Sequence, residues 1–516
     1  MINIIGAGLA GLSAAISCAK SGRRCRLISK QPSERAQSVL AEGGINAALD
    51  TMGENDTVKE HFEDTMRGGV YLADPNAVAA LTENAPEIIN WLLGLGAGFN
   101  IKDDKVLLRN FGGQKKKRTA FAKSSTGKII MTALIDEARK YEVSGLIQRF
   151  SHHELKDIVV EGDTCLGVVI EDSYTGEKIK CSGDVILACG GLNGFFEGRT
   201  TGTTQNDGSA AALAFSKGVE FANLEFIQFH PTTIGISGKR CLISEAARGE
   251  GGRLFASLNG EKRYFMEEKY PELGNLMPRD VVSRESYEIS RRADCKGVFL
   301  DMTGLSQSVW QGKLSDLRSE CIYYLGLDPA KESIPVEPGI HYFMGGINVD
   351  INHRTNIKGL YAAGECAAQY HGANRLGGNS MLGALYGGRT AAENAEDREI
   401  EFDMPQSFEN VTLSPDVEEE FEKILYEGLG IARDEKSLEN ALEKLDKLNK
   451  NARTQLGRAM LVSALDRRES RGAHYRSDYP EKDENFRKTS ISRLKNGSLE
   501  TEYRDIPERS GNESQI

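Results

Sequence analysis

The chain has 516 residues, 40% of them hydrophobic and 27% charged, with 55 glycines and a formal net charge of −11. That is an ordinary globular composition with material for about three domains, and its acidic balance argues against nucleic-acid binding. No apolar run is long enough to cross a bilayer, MINIIGAG lacks the basic start and apolar core of a signal peptide, and nine scattered Cys with no CxxC framework read as reduced cytoplasmic thiols, with no iron–sulfur, zinc or other metal site.

Residues 2–5 (INII) read as a buried strand, followed by Gly6-Ala7-Gly8-Leu9-Ala10-Gly11 and an amphipathic helix to about Lys20, closed by Gly22. This is GxGxxG in its strand–turn–helix setting. Gly6 makes the turn, Gly8 lets backbone approach a pyrophosphate, Gly11 lets the helix pack on the strand, and the helix N-terminus offers amides and a positive dipole to phosphate. The second strand, Arg24 to Ile28, ends in Ser29-Lys30, where an NAD protein would carry Asp or Glu for the adenosine ribose. The expected dinucleotide is therefore FAD, with Ser29 and Lys30 on the adenosine side. Ala36 to Ala47 holds Ser38, Ala41, Glu42 and the pair Gly43-Gly44, a loop suited to passing close to a flat ring.

Residues 74–93 are predicted helical, with Asp74 as N-cap, Pro75 at N1, and Leu81, Ile88, Ile89 and Leu92 facing inward. Arg109-Asn110-Phe111-Gly112-Gly113 and a solvated basic run, Lys115 to Arg118, precede a helix from about Thr126 to Tyr141. Residues 158–189 read as a β-meander and a buried strand ending in Ala188-Cys189-Gly190-Gly191, which brings backbone to a cofactor. Thr200 to Gly208 leads into a helix, Ser209 to Lys217, with Asp207 as its cap or a cofactor contact.

The stretch from Phe226 to Arg253 is where the chemistry gathers. Pro231 restricts His230 to extended backbone, so its imidazole is expected at a strand end or turn. Ser244 to Gly252 begins as a helical turn on which Glu245 and Arg248, three apart, share a face. One imidazole, one hydroxyl and one acid–base pair make a site for a small anion. Pro278 at N1 would start a helix at Arg279 and aim that guanidinium from the helix entrance. A buried strand from Leu360 ends in Gly364-Glu365, and a helix begins at Asn379-Ser380-Met381, its N-terminus aimed at the pyrimidine edge of a flavin. From Ser414 the chain is Glu/Lys/Leu-rich, with helical periodicity through 416–428, 437–450 and 455–468. Beyond Tyr475 it is polar, with a β-hairpin expected from Ile491 to Tyr503 around Asn496-Gly497.

QFHP (228–231), SEAARGEGG (244–252), PRD (278–280), HYFMGG (341–346), AAGEC (362–366) and NRLGGNS (374–380) together resemble the succinate dehydrogenase, fumarate reductase and L-aspartate oxidase flavoproteins. AEGGINAAL (41–49), RTAFAKSSTG (118–127) and ESRGAHYRSDYPE (469–481) extend the resemblance over nearly the whole chain. It implies an α/β fold: a Rossmann-like FAD-binding domain (1–226 and 342–395) interrupted by an α+β capping domain (227–341), then a helical C-terminal domain (396–474) and a polar tail (475–516). It also implies that His230, Ser244, His341 and Arg375 clamp the two carboxylates of a four-carbon diacid. Flavin N5 would pass hydride to one alkene carbon, and Arg279 would protonate the other, recharged through Glu245 and Arg248. Arginine, with a pKa above ~12, serves as an acid only transiently, in a dry site crowded by other cations and tied to a relay.

Two departures choose within the superfamily. Relatives linked to succinate and quinol chemistry usually carry a flavin-bonding His before the double glycine; Gln37 stands there, and its amide forms no such bond, so non-covalent FAD is expected. Losing that linkage lowers the flavin potential and favours fumarate reduction over succinate oxidation. Aspartate oxidases carry a Glu before the next paired glycines, where it meets the substrate ammonium; Phe111 offers no counter-charge, so an unaminated diacid fits better. The reading is a fumarate reductase flavoprotein, cytoplasmic or peripheral on the inner membrane face through a partner. An iron–sulfur subunit or a soluble carrier would supply its electrons. L-aspartate oxidase is the alternative, distinguished by aspartate-dependent peroxide; a non-catalytic flavin electron carrier is a third, distinguished by failure to bind dicarboxylates.

Overall fold

The short apolar runs Ile2–Ile5, Val185–Leu187 and Leu360–Ala362 cannot form helices of useful length, and they lie with Cys25–Ser29 and Ile147–Ser151 in one parallel sheet. The order across it is Leu360–Ala362, Val185–Leu187, Ile2–Ile5, Cys25–Ser29, Ile147–Ser151. All five strands run the same way, so the loops leaving their C-terminal ends face one crevice, the usual place for a nucleotide on such a sheet. The computed structural model describes residues 1–123, 125–236 and 238–510. Residues 511–516 of the expected tail, and Ser124 and Ser237, lie outside the described residues.

Helix Leu9–Lys20 packs against helix Asn379–Asn394. A Cβ at Gly388 would lie 2.2 Å from the Ala10 carbonyl oxygen, so glycine sets how closely the two helices approach. The meander begins earlier than expected, with antiparallel strands His153–Glu161, Thr164–Asp172 and Lys178–Ser182. The terminal hairpin is Lys488–Lys495 and Ser498–Asp505. Asn496 and Gly497 at its tip both have positive φ, 51° and 76°, the requirement of a tight two-residue turn.

Three local expectations are corrected. Arg118 is not part of a solvated run: it is buried and pairs with Asp56 at 2.8 Å and Asp64 at 2.9 Å. His230 does not end a strand; it lies inside Ile227–Ile236, at a register shift between His230 and Thr233 against strand Glu337–Phe343. A bulge there accommodates Pro231, which has no N–H to give to a ladder. Pro278 precedes helix Arg279–Ser290 as its flanking residue rather than occupying its first turn, because its ψ of 151° is extended.

Residues 243–336 have their own core, including Ile243, Leu254, Val282, Leu300, Trp310 and Val336. Helices Pro415–Leu429, Glu435–Leu445 and Ala452–Asp466 do not: Phe421, Leu425, Leu438 and Leu461 join one cluster with Phe195, Phe215, Phe229 and Phe343. A buried ionic network strengthens this junction. Arg467 donates to Glu225 at 2.5 Å and to Glu469 at 3.0 Å, and Arg433 donates to the Glu225 carbonyl at 2.7 Å. His474 accepts from Arg433 at Nδ1, 2.9 Å, so its Nε2 donates to the Arg467 carbonyl at 3.1 Å.

That arrangement requires a neutral imidazole, and burial with Arg433 and Arg467 alongside holds His474 well below its ordinary range. Its stabilising effect is complete above the unfolded value near 6.5 and is lost as pH falls below it, by about 1.4 kcal/mol at one unit lower. In His474→Gln, which keeps an acceptor and a donor but does not titrate, the drop in Tm between pH 7.5 and 5.5 is expected to be smaller than in wild type. An unchanged drop refutes this.

Candidate active site

One cavity of about 600 Å³ runs from the strand ends of the parallel sheet to the strand carrying His230. Its nucleotide side is lined by Gly6, Ala7, Gly8, Leu9 and Ala10, by Ser29 and Lys30, and by Ser38 with Ala41 to Gly44. Ala188, Gly190, Gly191, Asp207, Glu365, Ser380 and Met381 complete it. Gly11 does not line it: a Cβ there would lie 1.8 Å from the Gly6 carbonyl oxygen, so it serves helix-on-strand packing alone.

This half fits a flavin dinucleotide. Helix Leu9–Lys20 has no acidic residue in its first turn, so its N-terminal dipole favours phosphate, and Leu9 N donates to Ser38 Oγ at 3.2 Å, tying the Ala36–Ala47 loop to the turn. Gly44 has φ 129°, and a Cβ on it would lie 2.5 Å from the Ala120 carbonyl oxygen; the loop can run this close only as glycine. At the adenosine end Lys30 pairs with Asp207 at 2.6 Å. Burial opposes the charge on Asp207, but Lys30 outweighs it and holds the carboxyl below its usual range. Asp207 Oδ1 also accepts from Ser209 N at 3.0 Å, but the N-cap of helix Ser209–Ser216 is Gly208, so Asp207 precedes the cap rather than being it. Burial pushes the Glu365 carboxyl up to about 7, so near neutral pH it offers a hydroxyl-bearing ligand both donor and acceptor.

The other half is built on the Ile227–Ile236 strand, the short helix Ala246–Gly249, the start of helix Arg279–Ser290 and the loop before Asn379. His230, Ser244, Glu245, Arg279, His341 and Arg375 all line the cavity. His230 Nδ1 lies 3.2 Å from the Thr232 carbonyl oxygen and 3.3 Å from the Thr232 amide, and its buried Nε2 has no partner among the described residues. His341 Nδ1 contacts Thr201 Oγ1 at 2.8 Å, and the two imidazoles lie edge to face, 5.2 Å apart. Burial and the Arg279 cation hold both well below their usual range, so they are neutral hydrogen-bonding groups at pH 7. Arg375 contacts Ser380 Oγ at 3.2 Å and sits 4.5 Å over the Tyr342 ring. Burial and Arg279 push it down to about 9.

Arg279 donates through Nε and Nη2 to Glu245 Oε2, at 2.9 and 2.6 Å. Glu245 also accepts from Gly112 N at 3.2 Å and faces Arg248 at 3.7 Å. Burial would raise its pKa, yet Arg279 and Arg248 prevail and hold it at about 2. Arg248 does not reach the cavity; it is buried behind Glu245, donating to the Asn275 carbonyl at 2.7 Å. The three form a line from cavity wall to interior. Ser244 and Glu42 both line the cavity, and burial pushes the Glu42 carboxyl up to about 8.

Residues 2–381 match the family model described as FAD binding domain, and residues 451–510 match fumarate reductase flavoprotein C-term. The chain is 37% identical to the succinate dehydrogenase flavoprotein subunit of Bacillus subtilis (strain 168), covering 98% of this chain and 96% of that one. It is also 37% identical to L-aspartate oxidase of Pyrococcus furiosus, covering 96% and 100%. Among solved structures, a variant of E. coli quinol fumarate reductase FrdA superposes with a TM-score of 0.88 at 30% identity, covering 99% of this chain and 97% of that one. The chain belongs to the succinate dehydrogenase/fumarate reductase flavoprotein family. It is an FAD-dependent oxidoreductase of that type.

Several residues in or behind this flavoprotein's cavity have contacts that their motifs do not specify. Arg109 donates to the Gly43 carbonyl through Nε at 3.1 Å and to the Glu42 carbonyl at 3.1 Å, fixing the double-glycine loop. Gln37 accepts from Thr203 N at 2.6 Å. Thr201, Tyr342 and Gln228 support the substrate side; Tyr342 and Gln228 fall within quoted motifs, and on a strand Gln228 shares a face with His230 two positions on, but their partners are distant in the chain. No described helix is long and apolar enough to cross a membrane, and no group of three or more His, Cys, Asp or Glu among the described residues could hold a metal.

Proposed function

We propose that this chain reduces fumarate to succinate. The observation that carries the reading is the convergence, on one cavity wall, of the Arg279–Glu245–Arg248 line with Arg375 and the neutral pair His230 and His341. FAD, held by the half of the cavity lined by Gly6 to Ala10 and by Gly43-Gly44, would supply the two electrons as hydride. Arg375, His230, His341 and Ser244 bind the two carboxylates, and their donors strengthen as charge builds on the substrate. Arg279 delivers the proton to the second carbon and regains one through Glu245 and Arg248. A helix N-terminus beneath Arg279 adds positive potential that eases release of that proton. We take residues 227–341 as a cap whose closure keeps water from the transfer.

Phe111 supports an unaminated substrate: its ring lines the cavity and leaves an ammonium group without a counter-charge there. The second reading, oxidation of L-aspartate, is favoured by the equal identity of the Pyrococcus furiosus relative. Anaerobic oxidation of reduced viologen by fumarate, set against peroxide release from L-aspartate in air, separates the two. Fumarate-dependent turnover without aspartate oxidation is expected; the reverse refutes the proposal. The electron donor is proposed to be an iron–sulfur subunit or a soluble carrier, and the setting the cytoplasm or the inner membrane face through such a partner.

FAD is proposed to be held without a covalent bond, since Gln37 occupies the linking position and its carboxamide oxygen is already engaged by Thr203 N. After acid precipitation of the holoprotein, all of the flavin is expected in the supernatant. A yellow pellet, or flavin mass on the denatured chain, contradicts this.

A further inference from the structure

We propose that Gln228 is the positioning residue that fixes the proton donor and the carboxylate clamp relative to one another, holding both guanidinium groups without neutralising either. The inference rests on the reading of Arg279 and Arg375 given above. Gln228 is fully buried on the strand that carries His230. Its Oε1 accepts from Arg279 Nη1 at 3.2 Å and from Arg375 Nη2 at 3.1 Å. Its Nε2 donates to Asn374 Oδ1 and to the Arg375 carbonyl, both at 2.8 Å. Each end of the carboxamide therefore has two partners of the correct sense, and a flipped amide would face two donors with donors.

The partners come from two bodies. Arg279 opens a helix whose Val282 belongs to the core of residues 243–336, whereas Asn374 and Arg375 lie in the loop before helix Asn379–Asn394. One side chain thus sets the separation of donor and clamp across the cleft. Its chemistry matters as much as its reach. Arg279 already has a carboxylate, Glu245; among the described residues Arg375 has no ion-pair partner. An amide oxygen orients Arg375 while leaving its charge to be met by a substrate carboxylate. A glutamate here would pair with both arginines and compete with the substrate.

The test uses FAD-loaded protein and three readouts: kcat and KM for fumarate with reduced viologen, and the Kd of malonate from the flavin difference spectrum. Gln228→Met keeps volume but loses every hydrogen bond. It is expected to retain FAD, to lose about 10²-fold in kcat, as misplaced reacting groups do, and to bind malonate more weakly. Gln228→Glu is expected to weaken malonate by a similar factor at pH 8 and to recover toward wild type as pH falls, because the protonated acid has the amide's shape and acceptor. A purely structural role predicts lower yield or Tm with wild-type kcat and malonate Kd in the flavin-loaded fraction, and no pH-dependent recovery; either result overturns the proposal. If wild type binds malonate but does not reduce fumarate, the reaction reading falls, and a Gln228-dependent malonate Kd still supports the positioning role. If wild type does neither, both fall.

Discussion

Replacing Arg279 with Ala is expected to lower fumarate reduction by about 10³-fold while FAD stays bound, the scale of losing a positioned proton donor together with a cation facing the developing charge. Two properties make this side chain hard to replace. It engages Glu245 through two nitrogens, at 2.9 and 2.6 Å, and still has Nη1 for Gln228 at 3.2 Å. Lysine has the charge but one nitrogen, so Arg279→Lys cannot hold both partners and is expected to recover only a minor part of the rate. The alanine variant also leaves the buried Glu245 carboxylate with Arg248 at 3.7 Å and the Gly112 amide. Breaking a buried pair this way costs several kcal/mol, about 3–5, so Tm falls too, and rates must be compared per bound flavin well below the transition. Stopped-flow oxidation of reduced viologen gives the rate. An alanine variant within tenfold of wild type would remove Arg279 from the proton path.

What could be read from the sequence was mostly local. The Gly6 to Gly11 turn lies between a strand and a helix adjacent in the chain, so its geometry follows from a dozen residues. The Asp74 cap and the Asn496-Gly497 turn are equally short-range. Pro231 signals an interruption without saying whether the chain stops or bulges, and strand Glu337–Phe343, more than a hundred residues away, decides for a bulge beside His230. The C-terminal helices show apolar stripes that any bundle would show; that they complete the core around Phe195 and Phe229 is a matter of partner, not of pattern. Arg248 and Glu245 were expected on one face, and they are, but periodicity does not distinguish a solvated pair from a buried line behind a cavity wall. Gln228 depends on partners 51 and 147 positions away, so no window of sequence contains its environment.

The second large effect is a change of substrate. Phe111→Glu is expected to cut kcat/KM for fumarate by about 10²-fold or more, since a carboxylate beside a bound dicarboxylate costs several kcal/mol, and to bring in aspartate-dependent peroxide. The ring is buried between two glycine turns: a Cβ on Gly43 would lie 3.3 Å from it, and one on Gly377 3.1 Å. Those glycines make room for the ring, and glutamate, smaller than phenylalanine, fits the same slot with its carboxylate toward the cavity that the ring already lines. Its charge would persist, because the Arg109 guanidinium lies 5.2 Å from the ring centre. The position also adjoins Gly112, whose amide binds Glu245. A carboxylate at 111 therefore meets the substrate close to the proton relay, where an amino group on the reacting carbons would need a counter-charge. Phe111→Leu, which removes the ring without adding charge, separates electrostatics from shape: it is expected to keep fumarate as substrate and to gain no aspartate oxidation. If Phe111→Glu leaves the ratio of fumarate to aspartate turnover unchanged, the discrimination lies elsewhere on the wall. Closure of residues 243–336 onto the ligand is then the next place to look, since Ser244, Glu245 and Arg279 all arrive from that side.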